Sequence, residues 1–303
     1  MIEKKNMFVY SFYRFVEIKN RNIIKLQFLN FLKKTTIKGT ILIANEGINA
    51  SLSGNESELN HLITLVKKIL NIRKLQIKVN KTNSHSFNKL KVRIKNEIVS
   101  LGVGLLEINK LTGKYISPKK WDKFISQKNV KLIDTRNIYE IDIGKFKNSI
   151  NPKTKNFREF PKKFKELNLP KSQEIAMYCT GGIRCEKASS YLKKKGYKNI
   201  HQLDGGIINY LDFKNNSGKS LQWTGECFVF DNRVTVDQDL NKGRYEQCYG
   251  CRHPITKNDM ESKNYKKGVY CPLCINERTA EQKKSSEDRQ KQINKHFDKI
   301  KKY

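Results

Sequence analysis

Cys179 and Cys185 bracket the stretch Cys179-Thr180-Gly181-Gly182-Ile183-Arg184-Cys185-Glu186. These residue types, in this order, describe a site for a charged sulfur. Gly181 and Gly182 permit backbone conformations in which successive N–H groups turn inward and form an anion nest. Arg184 adds a full positive charge, and a helix starting near Cys185 adds its positive end. All three favour a thiolate, or a persulfide anion, over the neutral thiol at Cys179. The catalytic candidates are therefore Cys179 as nucleophile and Arg184 as the charge that stabilises it or holds an RNA phosphate. A surface ion pair is the plainer role for Arg184. Cys185 lies six positions on, unlike the C-x-x-C of disulfide oxidoreductases, so helix packing is its expected role and a resolving thiol the alternative.

The other five cysteines follow residue 216. Cys248-x-x-Cys251 and Cys271-x-x-Cys274, with nineteen residues between the pairs, have the spacing of a four-cysteine zinc site. Such a site would be structural and closed, stapling a region too poor in apolar residues to fold alone. Four reduced thiols without metal are the alternative. His253 lies near the first pair, but four cysteines already complete a tetrahedron. Cys227, within an apolar run, reads as core.

The elements that must position these residues follow from periodicity. Met7–Phe15 is an apolar, aromatic strand, and a helix spans 23–34. Strands at 39–44 and 50–54 flank the turn holding Glu46 and Asn49, whose role is geometric. Ser57 is placed to cap a helix over 58–70, and strands at 75–79 and 92–99 complete a ferredoxin-like α+β domain over residues 1–100. Tyr10, Phe12, Tyr13 and Phe15 either fill its core or, with Arg14, stack RNA bases.

From 115 to 215, strands alternate with helices, predicting a mainly parallel α/β sheet. Strands at 130–134, 174–178 and 199–203 and helices at 157–167 and 185–195 place the Cys179 loop at a strand's carboxyl end, where α/β folds bind ligands. Asp134, ending a neighbouring strand, would brace the loop or orient Arg184. Residues 216–303 form a small cysteine-paired region with a charged tail from Glu281, expected as an exposed helix or partial disorder.

The 303 residues suffice for two or three domains. The 61 Lys and Arg against 29 Asp and Glu give a net charge of +32, which favours a polyanion such as RNA unless it reflects only genomic bias. Neither a membrane span nor a signal h-region is evident, so a cytoplasmic protein with reduced thiols is expected. No G-x-G-x-x-G fingerprint and no two-His-one-carboxylate spacing occurs, so no organic cofactor is evident.

The segments Leu132–Arg136, Cys179–Arg184 and Leu203–Gly206 together resemble a rhodanese domain, in which a cysteine opening a six-residue cradle carries sulfane sulfur. Adding Ile41–Asn49, Gly225–Asp231 and the C-terminal cysteine pairs, the whole chain resembles the rhodanese-containing tRNA uridine(34) hydroxylase family. That resemblance implies tRNA as partner, oxygen as co-substrate, 5-hydroxyuridine at the wobble position as product, and Cys179 as the essential, persulfide-type cysteine. The loop's own chemistry points instead to sulfur transfer, so a sulfurtransferase stays open, as does a non-catalytic RNA-binding adaptor.

Overall fold

The computed structural model of the protein describes residues 7–218 and 221–300, with side chains of 295–300 left aside. Residues 1–6, 219–220 and the end of the charged tail, 301–303, lie outside the described residues. The chain forms two compact units: one running to Asn232 and including 238–240, the other built from 233–237 and the chain from Asn241 onward.

The first unit opens with β1 (Met7–Phe15), α1 (Arg21–Leu32), β2 (Lys38–Ala44), β3 (Gly47–Gly54), α2 (Glu56–Ile69), β4 (Ile77–Thr82) and β5 (Leu90–Ile94). Their sheet order is β4-β1-β3-β2-β5. β1 pairs antiparallel with both β3 and β4, β2 and β3 form a hairpin, and β5 runs parallel to β2. This is the expected ferredoxin-like arrangement with one added edge strand. Tyr10 and Phe12 enter a core with Phe28, Leu32, Leu59, Leu62 and Val66 from the two helices. Phe15, with Tyr13 beside it, belongs to a second cluster that also gathers Ala44, Ile98, Ile108 and Ile183. Alternation along β1 thus sends its aromatics to both faces, as packing and not as a base-stacking platform. The cap of α2 is Asn55, whose side chain accepts from Glu58 N–H at 2.8 Å. Ser57, expected as the cap, sits inside the first turn, because β3 runs straight into an extended Asn55.

The central α/β layer comprises β6 (Lys114–Ile116), α3 (Pro118–Ile125), β7 (Val130–Asp134), α4 (Ile138–Ile141), β8 (Gly144–Phe146), α5 (Phe160–Lys165), β9 (Glu174–Tyr178), α6 (Ile183–Lys194), β10 (Ile200–Leu203) and α7 (Gly206–Ser217). Its sheet, β6-β10-β9-β7, is all parallel. The helix expected over 157–167 divides into a 3₁₀ turn, Phe157–Glu159, and α5. Pro161 lacks the N–H needed inside a helix but suits its first turn, so the helix restarts there. On one side Ile133, Ile175, Met177, Phe160 and Leu192 pack together. Elsewhere Phe146 meets Trp121, Tyr178, Tyr210 and Trp223 edge-to-face, at centroid distances of 4.8 to 6.0 Å. Trp223 comes from β11 (Trp223–Gly225), which pairs antiparallel with β8.

In the second unit, Glu246–Gln247 pairs with Pro254–Ile255, and Ala280–Ile300 is a helix with mostly exposed side chains up to residue 294. Arg278 and Arg289 from that end of the chain donate to the carbonyls of Gly250 and Gly268, at 2.6 and 2.7 Å. No helix among the described residues is long and apolar enough to cross a membrane.

One buried lysine joins the ferredoxin-like and α/β layers. Lys187 on α6 donates to Glu46 at 2.9 and 3.0 Å, to the Val99 carbonyl at 3.1 Å, and to Glu97. Burial raises the Glu97 pKa, but hydrogen bonds from Lys187 and backbone N–H groups outweigh it and leave the pKa lowered. A depressed carboxylate contributes stability above its unfolded pKa, and that contribution is lost as pH falls through the folded value. Lys187→Met leaves two carboxylates facing each other. It should cost about 3 kcal/mol at neutral pH, the low end for breaking a buried pair because both carboxylates keep some water. Urea melts should show the deficit shrinking toward acid; a deficit below 1 kcal/mol would contradict this role.

Candidate active site around Cys179

β9 ends at Tyr178, and the chain turns through Cys179, Thr180, Gly181 and Gly182 before α6 begins at Ile183. The helix starts two residues earlier than the sequence suggests, because Gly182 at φ +98° makes the turn that launches it. Gly182 N–H donates to Cys179 Sγ at 3.0 Å. The carbonyls of Cys179 and Thr180 accept from Ile207 and Ile208 N–H, at 3.0 and 3.2 Å, so the first turn of α7 holds the loop from behind. That contact needs glycine at 206, where a Cβ would lie 2.5 Å from the Cys179 oxygen and 2.8 Å from the Gly182 nitrogen.

The Cys179 side chain is only 1% exposed. Burial alone raises its pKa, yet the thiol is held well below the ordinary value. The neighbouring Cys185 thiol, the Arg184 charge, and the N–H groups of Cys185 and Arg184 together outweigh desolvation. Cys185 moves the opposite way: burial and then its neighbour Cys179 keep it protonated. Its hydroxyl neighbour Thr135 lies 3.5 Å away. The packing role expected of Cys185 is present: it is fully buried in the core cluster that also holds Ile133, Met177 and Ala188.

Arg184 is buried and clasps Glu140 with two bonds, at 2.6 and 2.7 Å. Its charge reaches Cys179 while two of its N–H groups bind a carboxylate, so its ion pair is a buried one and not a surface one. Phe230 lies 5.9 Å from the guanidinium carbon. Asp134 does not orient Arg184. Arg136, two residues on, takes it at 2.6 to 3.2 Å and also bonds the carbonyls of Glu140 and Gly144. Trp223 and Tyr178 flank that guanidinium at 5.1 and 5.7 Å. Asp134 thus fixes Arg136, which ties the end of β7 to the α4–β8 segment.

Sequence reading missed Glu140, although Asn137-x-x-Glu140 is a readable capping pattern: Glu140 accepts from Asn137 N–H at 3.1 Å. It also missed the wall supplied by the ferredoxin-like layer. Tyr13 donates to Glu186 at 3.2 Å, alongside Tyr115 at 2.6 Å and Thr112 at 3.0 Å. Lys78 of β4 donates to the Gly181 carbonyl. Asn49 and Glu46 act structurally, bonding Ile98 at 3.1 and 2.8 Å.

In the second unit, the sulfurs of Cys248, Cys251, Cys271 and Cys274 all lie within 4.8 Å of one another, with Cys248–Cys274, Cys251–Cys271 and Cys271–Cys274 at 3.8 to 4.0 Å. A tetrahedral metal with bonds of about 2.3 Å sets its sulfurs about 3.8 Å apart, so the four could hold a metal ion. Cys227 is buried in the first unit.

Among known families, a UPF0176 acylphosphatase-like domain matches residues 7–98 and a rhodanese-like domain matches residues 117–212. The chain is 47% identical over 287 residues, 94% of each chain, to a tRNA uridine(34) hydroxylase from Pelagibacter ubique. Among solved structures it is similar to a rhodanese-related protein from Thermoplasma volcanium, at 27% identity over 33% of this chain and 92% of that one, TM-score 0.29. A rhodanese-like domain protein from Staphylococcus aureus matches at 22% identity over 32% and 90%, TM-score 0.28.

Glu140 supplies a test of the Arg184 clasp. Burial pushes its carboxyl up, but the Arg184 charge and hydrogen bonds, then Arg136 and the Asn137 N–H, hold it below the usual range. That stabilisation is present above the unfolded pKa and disappears as pH falls through the folded one. Arg184→Met strands a buried carboxylate and should cost about 3–5 kcal/mol at neutral pH, with the deficit narrowing on acidification as Glu140 protonates. Urea melts at two pH values read this; a pH-independent deficit would contradict it.

Proposed function

The chain belongs to the tRNA uridine(34) hydroxylase family, and from that premise we propose that it hydroxylates carbon 5 of the wobble uridine of tRNA. Molecular oxygen is the co-substrate and Cys179 the essential sulfur, acting as a thiolate or as its persulfide. The observation that carries this reading is the buried Cys179 sulfur with the Gly182 N–H on it at 3.0 Å, beside the Arg184 charge that favours its anion. Such a sulfur is a competent nucleophile at neutral pH, whereas an inert core cysteine would be protonated. Arg184 contributes by field, from its clasp on Glu140. The net charge of +32 supports a tRNA partner.

Nucleoside mass analysis of tRNA from cells lacking the protein, complemented with each variant, tests the assignment. Cys179→Ser should abolish oxygenation of uridine 34 with folding and tRNA binding retained, since a serine hydroxyl stays protonated. Cys185→Ser should keep partial activity, because it disturbs the start of α6 without removing the nucleophile. Wild-type modification in a folded Cys179→Ser would refute the nucleophile. Loss of thiolated nucleosides in place of oxygenated ones would make the protein a sulfurtransferase.

We further assign Cys248, Cys251, Cys271 and Cys274 as ligands of a closed structural zinc. Four cysteines fill every tetrahedral position, and the cluster they form has Ile255 as its other buried member, so bound metal would take the place of an apolar core. About one zinc per chain is expected by elemental analysis of protein purified without chelator. Chelation should lower the melting temperature; substoichiometric zinc with unchanged melting would contradict the site.

A further inference from the structure

The peptide between Gly181 and Gly182 is gripped at both ends. Its N–H points at Cys179 Sγ, 3.0 Å away, and its carbonyl accepts from the ammonium of Lys78. In a trans peptide these two groups point in opposite directions across one plane, so fixing one fixes the other. A Gly-Gly peptide is also the plane most free to turn over, since neither neighbour carries a side chain to resist it. Turned over, it would aim a carbonyl oxygen at the sulfur and repel the anion that the N–H now stabilises.

We propose that Lys78 is a positioning residue for Cys179, pinning the Gly181–Gly182 peptide from the ferredoxin-like layer so that its N–H stays on the sulfur. The proposal rests on the reading of Cys179 as the reactive sulfur and assigns part of its control to the other layer. Lys78 lies opposite Ser11 in the β1–β4 pairing, and Tyr13 shares that face two residues along β1. Both reach the loop. A Cβ at Gly181 would lie 3.1 Å from the Lys78 ammonium, and one at Gly182 would lie 3.0 Å from the Tyr13 hydroxyl. The ammonium also polarises the amide, making its N–H a stronger donor to an anion.

The location is a costly one for a lysine, as a residue placed for function requires. Burial of its ammonium lowers the Lys78 pKa to about 8, against the pull of Cys179, Asp204, Cys227 and Cys185. Nothing in Ile77-Lys78-Val79-Asn80-Lys81-Thr82 separates this lysine from Lys81 as sequence.

The test is the pH dependence of alkylation of Cys179 by iodoacetamide in the full, zinc-loaded chain, read by mass spectrometry of the peptide that carries it. The midpoint reports the sulfur's pKa, and the plateau reports access, so a variant that merely opens the site moves only the plateau. Lys78→Met should raise the midpoint by about one unit, while Lys78→Arg, which keeps a charged donor, should stay near wild type. Lys78→Leu serves as a second neutral variant, with thermal melts confirming the fold. A wild-type midpoint in either folded neutral variant, or a shift in Lys78→Arg as large as in Lys78→Met, overturns the proposal. A wild-type midpoint at or above the ordinary value of about 8.5 would instead count against the reactive-sulfur reading itself.

Discussion

A negatively charged sulfur that is almost wholly shielded from water needs donors and positive charge in fixed places, because burial by itself would return the proton. Here that requirement shapes the loop. A tight glycine turn supplies one N–H at 3.0 Å, the start of α6 supplies its N–H groups and the Arg184 charge, and α7 holds the loop carbonyls from behind. Gly206 permits the approach of α7, and the parallel sheet brings the two helix starts to one edge.

Second to this is a set of buried ion pairs that hold the loop's surroundings in one arrangement. Arg184 with Glu140 and Arg136 with Asp134 share neighbours, because Arg136 also bonds the Glu140 backbone. Lys187 joins the α/β layer to the ferredoxin-like one. Pairs of this kind add little net stability compared with apolar packing, but removing one partner leaves a buried charge without compensation. Their value in this fold lies in specifying position.

Much of this was legible in the sequence. Strand and helix periodicity fixed the two layers, the glycine–cysteine loop marked the strand end that bears the candidate site, and C-x-x-C spacing marked the sulfur cluster. What stayed hidden was partnership across long separations. Glu140 lies 44 residues from Arg184, and Lys78 lies 103 from Gly181. No local pattern encodes such pairs, so the carboxylate nearest in the motif, Asp134, stood in for the true partner of Arg184.

The central claim is that Cys179 is an anion in the resting protein at neutral pH. The most direct measurement is the difference in thiolate absorbance near 240 nm between the wild-type chain and Cys179→Ser, followed over pH with the cysteine cluster zinc-loaded in both. The account predicts a single transition with its midpoint well below the ordinary cysteine value of about 8.5. A midpoint at or above that value would mean that burial outweighs the cradle, and the site would not be the one described.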